Sequence, residues 1–162
     1  MKIEIDQAIQ GRLKPTTQEI QEWYDEYCSE YGDLGDAVYS IKVLPNDPAE
    51  SAEGHCDWNE RSSHAIITLY VCVDSKKIHS KATLWHELRH AQDRYDGIFG
   101  CRKFTKGNCL EYHLELLELR ALMASAKILP TDAWLLEQVL CYLRTGESGY
   151  SDQEYSTRYW EL

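Results

Sequence analysis

The chain lacks a basic excess. Its 162 residues carry 27 Asp and Glu against 17 Lys and Arg, for a net charge of −10. A nucleic-acid groove leaves a basic footprint, and an anionic membrane surface attracts basic segments, so the balance argues against both as partners. An acidic face that imitates the charge of DNA survives this test as a minor alternative. Also lacking is any apolar run of signal-peptide length at the start, "MKIEIDQAIQGRLK", or of the ~18 residues a membrane span needs anywhere later. The expectation is a cytoplasmic protein with no membrane contact. There is no CxxC pair among the six cysteines, and Cys101 and Cys109 are too far apart for a zinc knuckle. Reduced, structural thiols are expected. Neither an internal repeat nor a low-complexity segment is present.

What is present reads as one domain over 1–162, with 43% hydrophobic and 27% charged residues, ordinary for a globular chain. "TTQEIQEWYDEYCSEYG" (16–32) predicts an N-terminal helix, with Thr17 as cap, Ile20, Tyr24 and Tyr27 at helical spacing, and Gly32 as stop. "VYSIKVL" (38–44) and "HAIITLYVCV" (64–73) predict strands. The polar "AESAEGHCDWNERSS" between them predicts a loop or ragged hairpin. A helix is expected over about 81–96 with Ser80 as cap, a second over about 109–128, and a third over 131–146 after the Pro130 break. Residues 147–162 form an aromatic, acidic tail. This order predicts an α+β domain with its core over about 64–130.

The chemistry concentrates in "LWHELRHAQD" (84–93). Helical residues four apart lie about 40° apart in projection, so His86 and His90 can aim their imidazoles at one ion. Glu87 is rotated from His86 by about 100°. It is poorly placed as a ligand beside them and well placed as a general base on a metal-activated water, the division of labour of an H-E-x-x-H pattern. Random placement in this composition yields about 0.02 such matches. Here the match falls inside an expected helix, directly after a strong strand.

A catalytic zinc needs a third protein ligand and an open position. Glu118 sits beside Leu114, Leu117 and Ala121, at the edge of the apolar face of the second helix, where a carboxylate is costly without a cation. His113 is an alternative. Glu111 and Glu115 read as a solvated face. Tyr112, His113 and Tyr95 are candidates for a second electrophile that holds an oxyanion, and Asp93 for a partner that orients an imidazole. Trp85 reads as core.

"WHELRHAQD" followed by "ELRALMASAKILP" resembles the gluzincin zinc metallopeptidases, in particular the compact ones related to the ImmA/IrrE family of phage and bacterial proteins. A similar pattern occurs in other small phage-type metallopeptidases. The resemblance covers about 66–130, and Arg89 stands where the family commonly has glycine. It implies a zincin-like fold with a short mixed or antiparallel sheet, an active-site helix and a second helix carrying the glutamate ligand. It also implies Zn2+ held by His86, His90 and Glu118, with Glu87 as catalytic base and a protein or peptide as substrate. The strand "AIITLYVCV" would be the edge against which that substrate lies. Without an evident pro-segment, a narrow set of intracellular substrates is expected. The competing expectation is a regulatory protein of the same fold, without turnover, that engages a partner through its acidic surface.

Overall fold

A computed structural model describes residues 1–9, 14–46, 53–71, 76–98 and 113–146. Among them the elements are β1 (Lys2–Ile5), α1 (Thr17–Tyr31), a 3-10 turn (Gly35–Ala37), β2 (Val38–Pro45), β3 (Gly54–Asn59), β4 (His64–Val71), α2 (Lys77–Tyr95), α3 (Leu116–Ser125) and α4 (Pro130–Thr145). The described residues thus form an α+β arrangement.

The sheet runs β1-β2-β4-β3, with β1, β2 and β4 parallel and β3 antiparallel to β4. Strand side chains alternate between faces. The registers place Ile3 and Ile5, Ile41 and Val43, Ile67 and Leu69, and Cys56 and Trp58 on one face. These residues share a core with Ile20, Trp23 and Tyr27 of α1 and with Leu84, Trp85 and Leu88 of α2. A smaller cluster around Leu122, Leu135 and Val139 joins α3 to α4.

Two strands differ from expectation. β1 was not anticipated, because "KIEI" is a four-residue alternation whose partner, β2, lies far along the chain. The polar stretch before β4 does form a strand, β3, and a hairpin. Asn59 closes the turn by accepting from the backbone N–H groups of Arg61 and Ser62. β4 is therefore an interior strand and β3 is the edge, which corrects the expectation that "AIITLYVCV" would be the edge.

The helix ends also shift. Thr16, not Thr17, caps α1. Its hydroxyl accepts from the Glu19 N–H, and the Glu19 carboxylate accepts from the Thr16 N–H. α2 begins a turn earlier than expected, after Lys76, and Ser80 is buried within it. Lys77 explains the extension, since its ammonium donates to both oxygens of Glu19 at 2.7 Å and anchors the added turn on α1. α3 begins at Leu116, capped by Glu115, whose carboxylate accepts from the N–H groups of Leu117 and Glu118. Glu115 is 7% exposed and is no part of a solvated face, because the first turn of a helix leaves N–H groups that a buried end must satisfy. Pro130 opens α4 at its first turn, and Gly146 closes it with φ 72°.

Candidate metal centre

α2 is the central helix, packed against β3, β4, α1 and α3. Leu84, Leu88 and Ala91 fix its rotation by filling the core, and Trp85 locks it by donating its indole N–H to the Trp23 carbonyl at 3.0 Å. That rotation turns His86 and His90 toward α3. Their Nε2 atoms lie 3.2 Å apart with the rings crossed at 77°. Glu118 reaches them from α3, with Oε2 3.3 Å from His86 Nε2 and Oε1 3.5 Å from His90 Nε2.

The expected ligand triad therefore meets at one point, all three ligand atoms lying within 4.8 Å of one another. The 3.3 Å approach is not aligned as a hydrogen bond, and Glu118 Oε2 is buried without a hydrogen-bond partner. Burial opposes the Glu118 charge, yet the two imidazoles outweigh it and hold the carboxyl far below the usual carboxylate range. Burial likewise disfavours a cationic His86, and the neighbouring carboxylates, Glu118 first and then Glu87, together outweigh that and raise its pKa. The cluster calls for positive charge at its centre. Two imidazoles and one carboxylate around an unsatisfied oxygen fit a divalent ion such as zinc, which would bind the imidazoles in their neutral form.

Glu87 stands next to the cluster without joining it, only 8% exposed. Burial pushes its carboxyl pKa up against the pull of His86 and His90. β3 approaches it closely at Gly54. A Cβ there would lie 2.5 Å from Thr83 Cγ2 and 3.0 Å from both Cγ and Oε1 of Glu87, so only glycine fits without displacing Thr83 and Glu87.

Over these groups opens a cavity of about 520 Å³, in the usual range for a small-ligand site. His86, Glu87, His90 and Arg94 line it from α2, Leu117 and Glu118 from α3, and Gly54, Cys56 and Trp58 from β3. Burial first, and then the Glu87 carboxylate, push the Cys56 thiol up, so it stays protonated in this wall.

Other expected site residues lie elsewhere. Asp93 does not face the imidazoles. It is fully buried, accepts a hydrogen bond from Arg120 Nε at 2.8 Å, and has Arg89 Nε 3.0 Å from its other oxygen. The second contact is a charge contact without hydrogen-bond alignment. Arg89 packs over the Tyr31 ring at 5.4 Å and does not line the cavity. His113 belongs to neither the ligand cluster nor the cavity wall, and Tyr95 is exposed outside it. Tyr112, Glu111, the loop 99–108 and the tail 147–162 lie outside the described residues.

Sequence reasoning missed Gly54, Cys56, Trp58 and Arg94. The first three needed the hairpin. Arg94 was within reach, since it continues the four-residue spacing of His86 and His90. Searches of family models, curated proteins and solved structures found no match to this chain.

Proposed function

We propose that the chain is a zinc-dependent hydrolase of peptide bonds, built on a compact zincin-like domain. The observation that carries this reading is the buried Glu87 carboxylate, set beside a three-donor cluster in an open cavity. An imidazole–imidazole–carboxylate donor set leaves a fourth position open in a tetrahedral ion.

When bound by His86, His90 and Glu118, zinc supplies Lewis acidity, polarising a carbonyl and making water acidic near neutral pH. The chain does the rest. Glu87 takes the proton of the attacking water and passes it to the departing amine. Its burial supports this role, because a carboxylate kept from water is a stronger base. β3, as an edge strand, offers backbone groups beside the cavity with which an extended peptide can pair.

The test is metal content beside turnover. Purified wild type is expected to carry one zinc per chain, Glu118→Ala to lose most of it, and Glu87→Gln to keep it. Cleavage of a peptide library, read by mass spectrometry, is expected from wild type and absent in Glu87→Gln. Absence of stoichiometric zinc in wild type, or full retention in Glu118→Ala, would remove the reading. Biological function that survives Glu87→Gln would favour the regulatory protein without turnover.

A further inference from the structure

Among the described residues, α3 contributes a single side chain, Glu118, to the ligand cluster. The geometry of the cluster therefore depends on how α3 is rolled about its axis. Taken from Ala121, which is fully buried, Glu118 lies about 60° to one side in projection and Arg120 about 100° to the other. Both reach α2. Glu118 stands 3.3 Å from His86 Nε2 and 3.5 Å from His90 Nε2, and Arg120 Nε donates to Asp93 Oδ2 at 2.8 Å. On α2, Asp93 lies about 20° from His86 in projection, so the imidazoles and the Asp93 carboxylate share the face that meets α3.

α3 is thus tied to α2 on both sides of its buried stripe of Leu117, Ala121 and Ala124. Apolar burial is non-directional and resists roll poorly, whereas polar contacts that straddle the stripe oppose roll in either sense. The two ties are unequal. On the cluster side the 3.3 Å approach is not aligned as a hydrogen bond, and Glu118 Oε2 stays unsatisfied. On the other side the bond is aligned, charge-assisted and made to a carboxylate with no exposed surface. Arg89 stands 3.0 Å from the second oxygen of that carboxylate. Beside it, Gln92 accepts from the Tyr27 hydroxyl at 2.8 Å and donates to the Tyr31 carbonyl at 3.1 Å, so the turn that carries Asp93 is fixed to α1.

We propose that Arg120 is a positioning residue for the metal. Its bond to Asp93 sets the roll of α3 and so holds the Glu118 carboxylate at the two imidazoles, ready for the ion. This rests on the metal site of the reading above and not on peptide hydrolysis.

The test separates position from stability. Zinc affinity is measured by competition with a chromophoric chelator, and coordination by the visible absorption of cobalt(II) in place of zinc. Arg120→Met is expected to bind zinc about tenfold more weakly than wild type, the scale of losing a partner that orients a ligand. Its cobalt spectrum is expected to lose intensity, as water replaces a carboxylate that no longer reaches the ion and the coordination number rises. On a Glu118→Ala background, Arg120→Met is expected to change the zinc affinity no further, because no carboxylate is left to position. Thr16→Ala, which weakens the fold away from the site, is expected to bind zinc as wild type does. Arg120→Gln carries the same expectations as Arg120→Met should the latter fail to fold. Wild-type affinity or an unchanged spectrum in the Arg120 variants, or an equal loss in Thr16→Ala or on the Glu118→Ala background, would overturn the proposal and leave the metal site standing. Wild type that binds no zinc, or Glu118→Ala that binds it as tightly as wild type, would take down both.

Discussion

At the scale of the residue, Asp93 holds the two helices of the site together. It has no exposed surface, and its carboxylate meets Arg89 of its own helix and Arg120 of α3. Removing the partner of a buried charge costs more than the pair contributes, because the remaining charge stays desolvated. Asp93→Ala is therefore expected to lower the unfolding free energy by about 3 kcal/mol. Denaturant unfolding checks this, and a midpoint within error of wild type would show that the two guanidinium groups find other partners. The legible part of the site follows from the same scale. His86 and His90 share a face through local helix geometry, and Glu118 was marked by a carboxylate on an apolar edge. Asp93 was only a candidate partner for an imidazole, and proximity to His90 in sequence says nothing about which partner a neighbouring helix will bring to the carboxylate. Arg120 draws it away from the imidazoles.

At the scale of the element, the start of α1 supports the start of α2. Glu19 closes the capping box with Thr16 and also receives the Lys77 ammonium. Thr16→Ala is expected to cost about 1 kcal/mol in stability, measured by thermal or denaturant unfolding. The Lys77 contact first, and the Thr16 N–H second, hold the Glu19 carboxyl below its ordinary value. A carboxyl whose pKa is depressed on folding contributes stability above its unfolded pKa and loses it as pH falls through the folded one. Wild type should accordingly exceed Glu19→Gln in stability near neutrality, and the gap should close as pH falls through the depressed carboxyl pKa. A gap that persists in acid would assign the effect to packing. α1, β2, β4 and most of α2 were legible because their periodicity is local. β3 was legible only as a loop or ragged hairpin, since an edge strand beside a site exposes every second residue and reads as polar. Its pairing with β4, rather than its composition, makes it a strand.

At the scale of the whole molecule, the three residues of the candidate metal cluster bring together layers that are distant in the chain. His86 and His90 come from the helix packed on the sheet, and Glu118 from the helix that links the main core to the α4 cluster. A ligand that binds only the folded state stabilises it by mass action, about 4 kcal/mol at a thousandfold excess over Kd. Chelation is expected to lower Tm by roughly 10 °C for a chain of this size, with recovery on adding zinc. Melts of Glu118→Ala should show little response to either treatment, and an equal response would place the metal elsewhere. No helix among the described residues is long and apolar enough to cross a membrane. Gly54 alters how the molecule can be interrogated. Alanine replacement is ordinarily a subtraction, used to learn what a side chain contributed. At this position it is an addition, an extra atom driven between sheet and helix onto Thr83 and the Glu87 carboxylate. A loss there would report the clearance between two layers, so the residue with the least chemistry of its own would score as one that performs it.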